Sequence, residues 1–237
     1  MRITVIMPAY KAEKFIREAV DSLLAQTFST WNALDLIVVC DGCRETFAKL
    51  GKYKGKIKAV LLRENVGTYK AINAGLALVN PRSQIIGTMG ADDMVAPMYL
   101  ERIADMYDPT ELCAYSTFYE EVDLNGQHIR FVNRHAPTGQ FFYDSRVFKK
   151  LGGFRPWHCA ADSEFWQRAM VEGVTLKTHR DPFFKYRRHG GQITASEERG
   201  FGTEYRNEKA ELVKRVKYDH SLAGFVEPEC GEILKRL

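Results

Sequence analysis

Ile85-Ile86-Gly87-Thr88-Met89-Gly90-Ala91-Asp92-Asp93 is a short apolar run that ends on two adjacent carboxylates. The run reads as a buried strand bounded by turn residues, and its acidic end decides how the rest of the chain is arranged. Ligands of an open α/β sheet collect at the carboxyl ends of strands. Acidic side chains placed there suit a hard divalent cation, which in turn suits a diphosphate. The competing reading makes Asp92 and Asp93 caps of the next helix, with Pro97 in its first turn. Capping requires only one of them, and two neighbouring carboxylates repel unless something positive lies between them, so a metal or ligand role is expected.

Outward from this edge the pattern alternates. Arg2 to Met7 is a β-branched apolar run, followed by a Pro8-Ala9-Tyr10 turn and a helix with apolar residues Phe15, Ile16, Ala19, Val20, Leu23 and Leu24 at helical spacing. Strands are predicted at 34–40, ending on Asp41-Gly42, and at 58–62, ending on Arg63 to Gly67, with a helix over 68–79. Strands and helices joined by short connections predict an α/β fold, a mostly parallel, Rossmann-like sheet flanked by helices. After a helix at 98–107 the second half is mixed: strands at 112–117 and 119–123, a hairpin at Asn125-Gly126, strands at 129–133 and 139–143, helices at 145–151 and 162–172, and strands at 174–178 and 183–188. A helical stripe at Tyr205, Ala210, Leu212, Val213 and Val216 marks the tail. One domain is expected over 1–237, with a nucleotide-binding half (1–108), an acceptor half (109–199) and a helical tail (200–237).

The bulk numbers exclude several classes. A composition of 45% hydrophobic and 27% charged residues is that of a globular protein, and a net charge of +4 is too small to indicate a nucleic-acid binder by itself. No apolar stretch approaches the roughly 20 residues of a membrane span, and Met1-Arg2-Ile3-Thr4 leads into a strand without a signal-peptide layout, so a cytoplasmic location is expected. Cys40-Asp41-Gly42-Cys43 has redox-motif spacing, but the remaining cysteines at 113, 159 and 230 supply no matched second pair, so the spacing is read as coincidence.

Taken in order, Val5-Ile6-Met7-Pro8-Ala9-Tyr10, Val38-Val39-Cys40-Asp41-Gly42, Glu64-Asn65-Val66-Gly67 with Ala71-Ile72-Asn73-Ala74-Gly75, and Ala91-Asp92-Asp93 resemble the motifs of family-2 glycosyltransferases. Phe148 to Phe154, Ala161-Asp162-Ser163-Glu164-Phe165-Trp166 and Tyr186-Arg187-Arg188-His189 are similar to later segments of the same family, so the resemblance spans residues 3–195. It implies a GT-A fold and an inverting, Mn²⁺- or Mg²⁺-dependent transfer of a hexosyl or pentosyl group from a nucleoside diphosphate sugar to a hydroxyl. By resemblance Asp93 is the metal ligand and His189 a further contact to metal or phosphate. Asp92 faces the ribose or bridges to the metal through water, and Asp162 is the base that deprotonates the acceptor. The same carry-over places Pro8, Ala9 and Tyr10 around base and ribose, and Asn65, Gly67, Lys70 and Asn73 near the donor. Asp41 accepts from the imide N–H of uracil or thymine, which favours UDP or dTDP; guanine N1–H is also a donor, which keeps GDP open.

Each of these residues has a plainer reading. Asp162 precedes a helical run and could cap it, Asp41-Gly42 is a common turn pair, Lys70 fits a solvated helix face, and His189 fits a basic surface strand. Trp157 and His158 are candidate acceptor contacts or local packing against Phe154. The acceptor is open: a glycan, a lipid-linked glycan or a modified nucleic acid. This chain also departs from the family at Cys40, Gly90 and Ala161, where many members are acidic, and at Ile72, where many have arginine. A nucleotidyltransferase and a donor-binding scaffold without catalysis are the competing classes. The first lacks its Gly-rich basic loop here, because Pro8-Ala9-Tyr10-Lys11 is not one.

Overall fold

Side chains alternate faces along a strand, and the central strands of this chain are apolar at nearly every position, so both faces of the sheet must be covered. In the computed structural model, which describes residues 1–27 and 33–237, that is what happens. Strand β1 (Arg2–Ala9) is flanked by β2 (Ala33–Cys40) and β4 (Ile85–Thr88), with β3 (Lys58–Leu62) beyond β2, and all four run parallel. Ile3, Val5 and Met7 of β1 pack on one face with Ile16, Ala19, Val20 and Leu23 of α1 (Ile16–Leu24) and with Leu100 and Ile103 of a later helix. Ile6, with Ile37 and Val39 of β2, packs on the other face against Ala71, Ile72 and Ala74 of α3 (Thr68–Leu76). A short helix that sequence patterning did not reveal, α2 (Arg44–Lys49), lies between β2 and β3.

The sheet continues through the second half as one ten-stranded sheet, in the order β10-β3-β2-β1-β4-β8-β6-β9-β5, with β7 paired to β6. The remaining strands are β5 (Met94–Val95), β6 (Cys113–Val122), β7 (His128–His135), β8 (Phe142–Asp144), β9 (Thr175–Arg187) and β10 (Ile233–Arg236). The helices are α4 (Tyr99–Asp105), α5 (Ser145–Leu151), α6 (Ala161–Val171) and α7 (Glu204–Tyr218). This half is mixed as expected: β8 is antiparallel to both β4 and β6, whereas β6 and β9 are parallel.

Four sequence expectations change. The predicted strands 112–117 and 119–123 are one strand, β6, whose register shifts at Phe118, and a bulge there breaks the periodicity without ending the strand. The strands at 174–178 and 183–188 are likewise one strand, β9: Thr117 pairs with His179 and Tyr119 with Phe184, so residues around Asp181-Pro182 bulge out of the ladder. The strand predicted at 139–143 is a 3₁₀ turn, Thr138–Gln140, followed by the three-residue β8. The tail is helical through α7 and a 3₁₀ turn at His220–Ala223 and then returns as β10, antiparallel to β3.

The five cysteines are all free thiols. Burial pushes the Cys40 thiol up to about 12. Cys43 donates through Sγ to Glu13 Oε1 at 3.1 Å, so the Cys40–Cys43 pair is packing rather than a redox centre. Three of the family departures, Cys40, Ile72 and Ala161, are core positions at 0%, 3% and 0% exposure, so an acidic or arginine side chain there would need a buried partner.

Candidate active site

The parallel strands stand in the order β3-β2-β1-β4, so the strand order reverses at β1, and the crevice outside the carboxyl ends of β1 and β4 is the topological switch point. Asp41 follows β2, and Gly90 to Asp93 follow β4, on the same rim. Neither Asp92 nor Asp93 caps a helix, because α4 begins later with Met98 at its N-cap.

Asp93 is nearly inaccessible. Its Oδ1 accepts from the Arg187 backbone N–H at 2.9 Å and its Oδ2 from Gln140 Nε2 at 3.1 Å. Burial, with Asp92 alongside, pushes the Asp93 carboxyl well above the usual carboxylate range, against the pull of Arg187. Arg187 is itself buried, donating to the carbonyls of Asp92 and Leu124 and to Glu18 Oε2 at 2.6 Å, so it braces the loop and offers no open cation. A Cβ on Gly90 would lie 2.7 Å from Asp92 Oδ1 and 2.9 Å from Asp93 Oδ2. The missing side chain therefore keeps a gap between two hard oxygen donors of like charge, which fits a divalent cation. Among the described residues no group of three or more His, Cys, Asp or Glu side chains is assembled around such a gap.

His189 does reach this edge. Gly191 N–H donates to its Nδ1 at 3.1 Å, which leaves the proton on Nε2 to donate to Asp92 Oδ2 at 2.8 Å. In this arrangement His189 orients Asp92 and does not itself face the gap.

The structure places Asp162 inside the first turn of α6, one residue past its start, so it is not the cap; the N-cap is Ala160, at φ 61°. Its carboxylate accepts from Tyr69 OH at 2.6 Å and from Thr138 Oγ1 at 2.5 Å. The turn Thr138–Gln140 thus touches both acidic centres, Asp162 through Thr138 and Asp93 through Gln140, whose Oε1 also accepts from Gly90 N–H at 3.2 Å. Sequence reading missed Gln140, Thr138 and Tyr69, and no local pattern marks them.

On the other side of β1, Asp41 is 3% exposed and accepts from Val66 N–H at 2.8 Å and Gly67 N–H at 2.9 Å. Burial raises its carboxyl, and these two amides pull it back. Gly67, at φ 91°, is the N-cap of α3, and a Cβ on it would come within 3.0 Å of His158 Nδ1. His158 N–H donates to Tyr205 OH at 3.2 Å, so His158 sits between the Gly67 loop and α7, and Trp157 lies against α7 with Lys209 Nζ 5.4 Å from its ring centroid. Tyr10 is half exposed on the rim beside Pro8 and the buried Ala9, and Asn65 is exposed.

Two expected donor contacts are placed elsewhere. Asn73 is fully buried: its amide donates to the Phe154 and Glu229 carbonyls at 2.9 and 3.1 Å and accepts from Phe154 N–H at 3.0 Å, so it ties α3 to the 152–154 turn. Lys70 pairs with Glu229 of the tail at 3.0 Å. A hollow of about 420 Å³ lined by Leu76, Val79, Pro81, Phe148 and Phe225 includes none of the candidate residues.

Comparison with known proteins identifies the fold and the family. An uncharacterized glycosyltransferase of Haemophilus influenzae is 23% identical over 92% of this chain and 72% of its own length. The minor teichoic acid biosynthesis protein GgaA of Bacillus subtilis is 24% identical over 73% of this chain and 39% of its own length. Among solved structures, S. aureus TarS 1-349 in complex with UDP-GlcNAc superposes with a TM-score of 0.73 at 20% identity, covering 90% of this chain and 65% of that one. The mannosyltransferase PcManGT of Pyrobaculum calidifontis, in complex with GDP-Man and Mn²⁺, does so at 0.64 and 16% identity, covering 95% and 65%. This chain is thus shorter than the proteins it matches. The fold is GT-A, and the family description "Glycosyl transferase family 2" matches residues 4–166, more than half of the sequence: the chain belongs to the family-2 glycosyltransferases.

Proposed function

We propose that the chain is an inverting, metal-dependent glycosyltransferase that moves a hexosyl or pentosyl group from a nucleoside diphosphate, UDP above all, to an acceptor hydroxyl. The observation that carries the reading is the Thr138–Gln140 turn, which holds Asp93 at one end and Asp162 at the other, so a cation-binding edge and a proton acceptor share one site. Asp92 and Asp93 would hold Mn²⁺ or Mg²⁺ at the Gly90 gap, with His189 steadying Asp92. Bound there, the cation neutralises charge on the departing diphosphate.

The chain's own groups do the rest. Asp162 takes the proton of the acceptor hydroxyl as that oxygen attacks the anomeric carbon from the face opposite the diphosphate, which inverts the configuration. Each carboxylate oxygen has two lone pairs, so the Tyr69 and Thr138 hydrogen bonds leave one on each for that proton. Asp41 likewise keeps acceptor capacity beyond the two amides it holds, enough for a uracil imide N–H, with Pro8, Ala9, Tyr10 and Asn65 around the nucleoside. Trp157 and His158 face the acceptor, whose identity, whether glycan, lipid-linked glycan or modified nucleic acid, lies with these loops. No described helix is long and apolar enough to cross a membrane, and a cytoplasmic site of action is part of the proposal.

The test is nucleotide release from UDP-glucose, UDP-GlcNAc, UDP-galactose and GDP-mannose with Mn²⁺, Mg²⁺ or EDTA. Metal-dependent release from at least one UDP-sugar is expected, with the transferred sugar in the opposite anomeric configuration by NMR. Release that persists in EDTA, or that occurs from GDP-mannose alone, contradicts the reading.

A further inference from the structure

Asp162 is an acidic side chain in the first turn of a helix, where such groups ordinarily satisfy the free amides of that turn. Here no side chain caps α6, and both Asp162 oxygens are instead held by hydroxyls from other elements. Tyr69 OH donates to Oδ1 at 2.6 Å from 93 residues away, and Thr138 Oγ1 donates to Oδ2 at 2.5 Å from 24 residues away. Two donors, one on each oxygen, fix both the position of the carboxylate and the rotation of its plane.

We propose that Tyr69 and Thr138 are positioning residues that aim the Asp162 carboxylate at the acceptor hydroxyl, and that they register it against the donor side of the site. The proposal rests on the reading of Asp162 as the base. Each hydroxyl comes from a segment that a donor-side carboxylate also holds. Tyr69 is in the first turn of α3, whose N-cap Gly67 and neighbour Val66 donate to Asp41. Thr138 is in the same turn as Gln140, which donates to Asp93. A shift of either donor-side segment is thereby passed to the base through one hydrogen bond.

The Tyr69 ring is buried and packs on Phe154 with centroids 5.9 Å apart, so the hydroxyl is carried on a fixed arm. Burial, with Asp162 beside it, pushes the Tyr69 phenol well above its ordinary value, so it remains a donor throughout the working pH range. Thr138 Oγ1 also lies 3.2 Å from Ser163 Oγ, which limits its rotation. A misplacement of about 1 Å in a reacting group costs on the order of 100-fold in rate, so two hydroxyls that touch no substrate still govern turnover.

The experiment compares Tyr69→Phe, Thr138→Val, Thr138→Ser and Asp162→Asn with the parent chain in the donor assay above, recording kcat, donor KM, UDP affinity and melting temperature. Tyr69→Phe and Thr138→Val should each lower kcat about 10-fold and together about 100-fold, with donor KM and UDP affinity within about twofold of the parent. Thr138→Ser, which restores the hydroxyl, should keep kcat within about twofold. The proposal is overturned if Asp162→Asn is inactive while Tyr69→Phe and Thr138→Val turn over like the parent, or if Thr138→Ser loses as much as Thr138→Val. Full activity in Asp162→Asn overturns the reading of the base itself. Should Tyr69→Phe melt early, the Thr138 pair alone decides.

Discussion

Replacing Asp162 with asparagine lowers kcat for sugar transfer by about 100- to 10,000-fold and leaves UDP affinity within about twofold. The change is isosteric: an amide oxygen still accepts from Tyr69 or Thr138, and those hydroxyls rotate to suit the amide nitrogen. What is lost is a group able to carry a proton. The magnitude follows from the usual contribution of a positioned general base, and the unchanged UDP affinity follows from the site's layout. Among the described residues, Asp162 is hydrogen-bonded to the donor side through Tyr69 and Thr138, whereas Asp41, Asp92 and Asp93 stand at the ends of β2 and β4. Steady-state rates together with calorimetric UDP titration check both halves. A loss of UDP binding in parallel with kcat would make Asp162 part of the donor pocket instead.

Two residues further along α6, Glu164→Gln lowers stability by about 3–5 kcal/mol. Glu164 and Arg168 are both fully buried, with Arg168 Nε at 2.9 Å from Glu164 Oε1, and Arg155 Nε reaches the same oxygen at 2.7 Å. Arg168 also donates to the carbonyls of Leu151 and Gly153, both at 2.7 Å. It therefore cannot swing out to water when its partner is neutralised, and burial already pulls its guanidinium below the ordinary value. Removing the carboxylate leaves a buried cation without its counter-charge, which costs far more than the pair is worth relative to an apolar replacement. For a chain of this length the loss corresponds to a fall in melting temperature on the order of 10 °C. Lys214→Ala is the control. Lys214 pairs with Glu211 on α7 at 2.6 Å with both side chains exposed, and its loss should cost less than about 1 kcal/mol. Thermal unfolding of the two variants separates these outcomes, and equal shifts would mean that the α6 pair is not the anchor of its helix.

What could be read in the sequence was what is local and periodic. The first four strands are buried on both faces, so their continuous apolar runs mark them, and the acidic residues that end two of them fall on the rim because parallel strands share a direction. Asp41, Asp92, Asp93, Asp162 and His189 are singled out in this way or through their motifs, and Asp41, Asp92 and Asp93 stand beyond the ends of β2 and β4.

The misses have a common cause in long-range pairing. Strand β10 is mostly exposed and carries no alternation of its own; β3 gives it its place across more than 160 residues of chain. The bulge at Phe118 and the excursion at Asp181-Pro182 each split one strand's pattern into two. Asn73 matched a donor motif, yet a buried amide satisfies itself with the nearest backbone, here Phe154. Tyr69 and Thr138 carry single hydroxyls whose meaning exists only once α3 and the 138–140 turn close on α6.

The most direct test of the account is calorimetric titration of UDP into the parent chain and into Asp93→Asn, with Mn²⁺ and with EDTA. Asparagine at 93 keeps an oxygen for the Arg187 backbone N–H, and gives up the charge facing the Gly90 gap together with the acceptor for Gln140 Nε2. The account predicts binding by the parent that requires the metal, and little or none by Asp93→Asn. UDP binding that is equally tight in EDTA, or untouched by Asp93→Asn, would contradict a metal-held diphosphate at this rim.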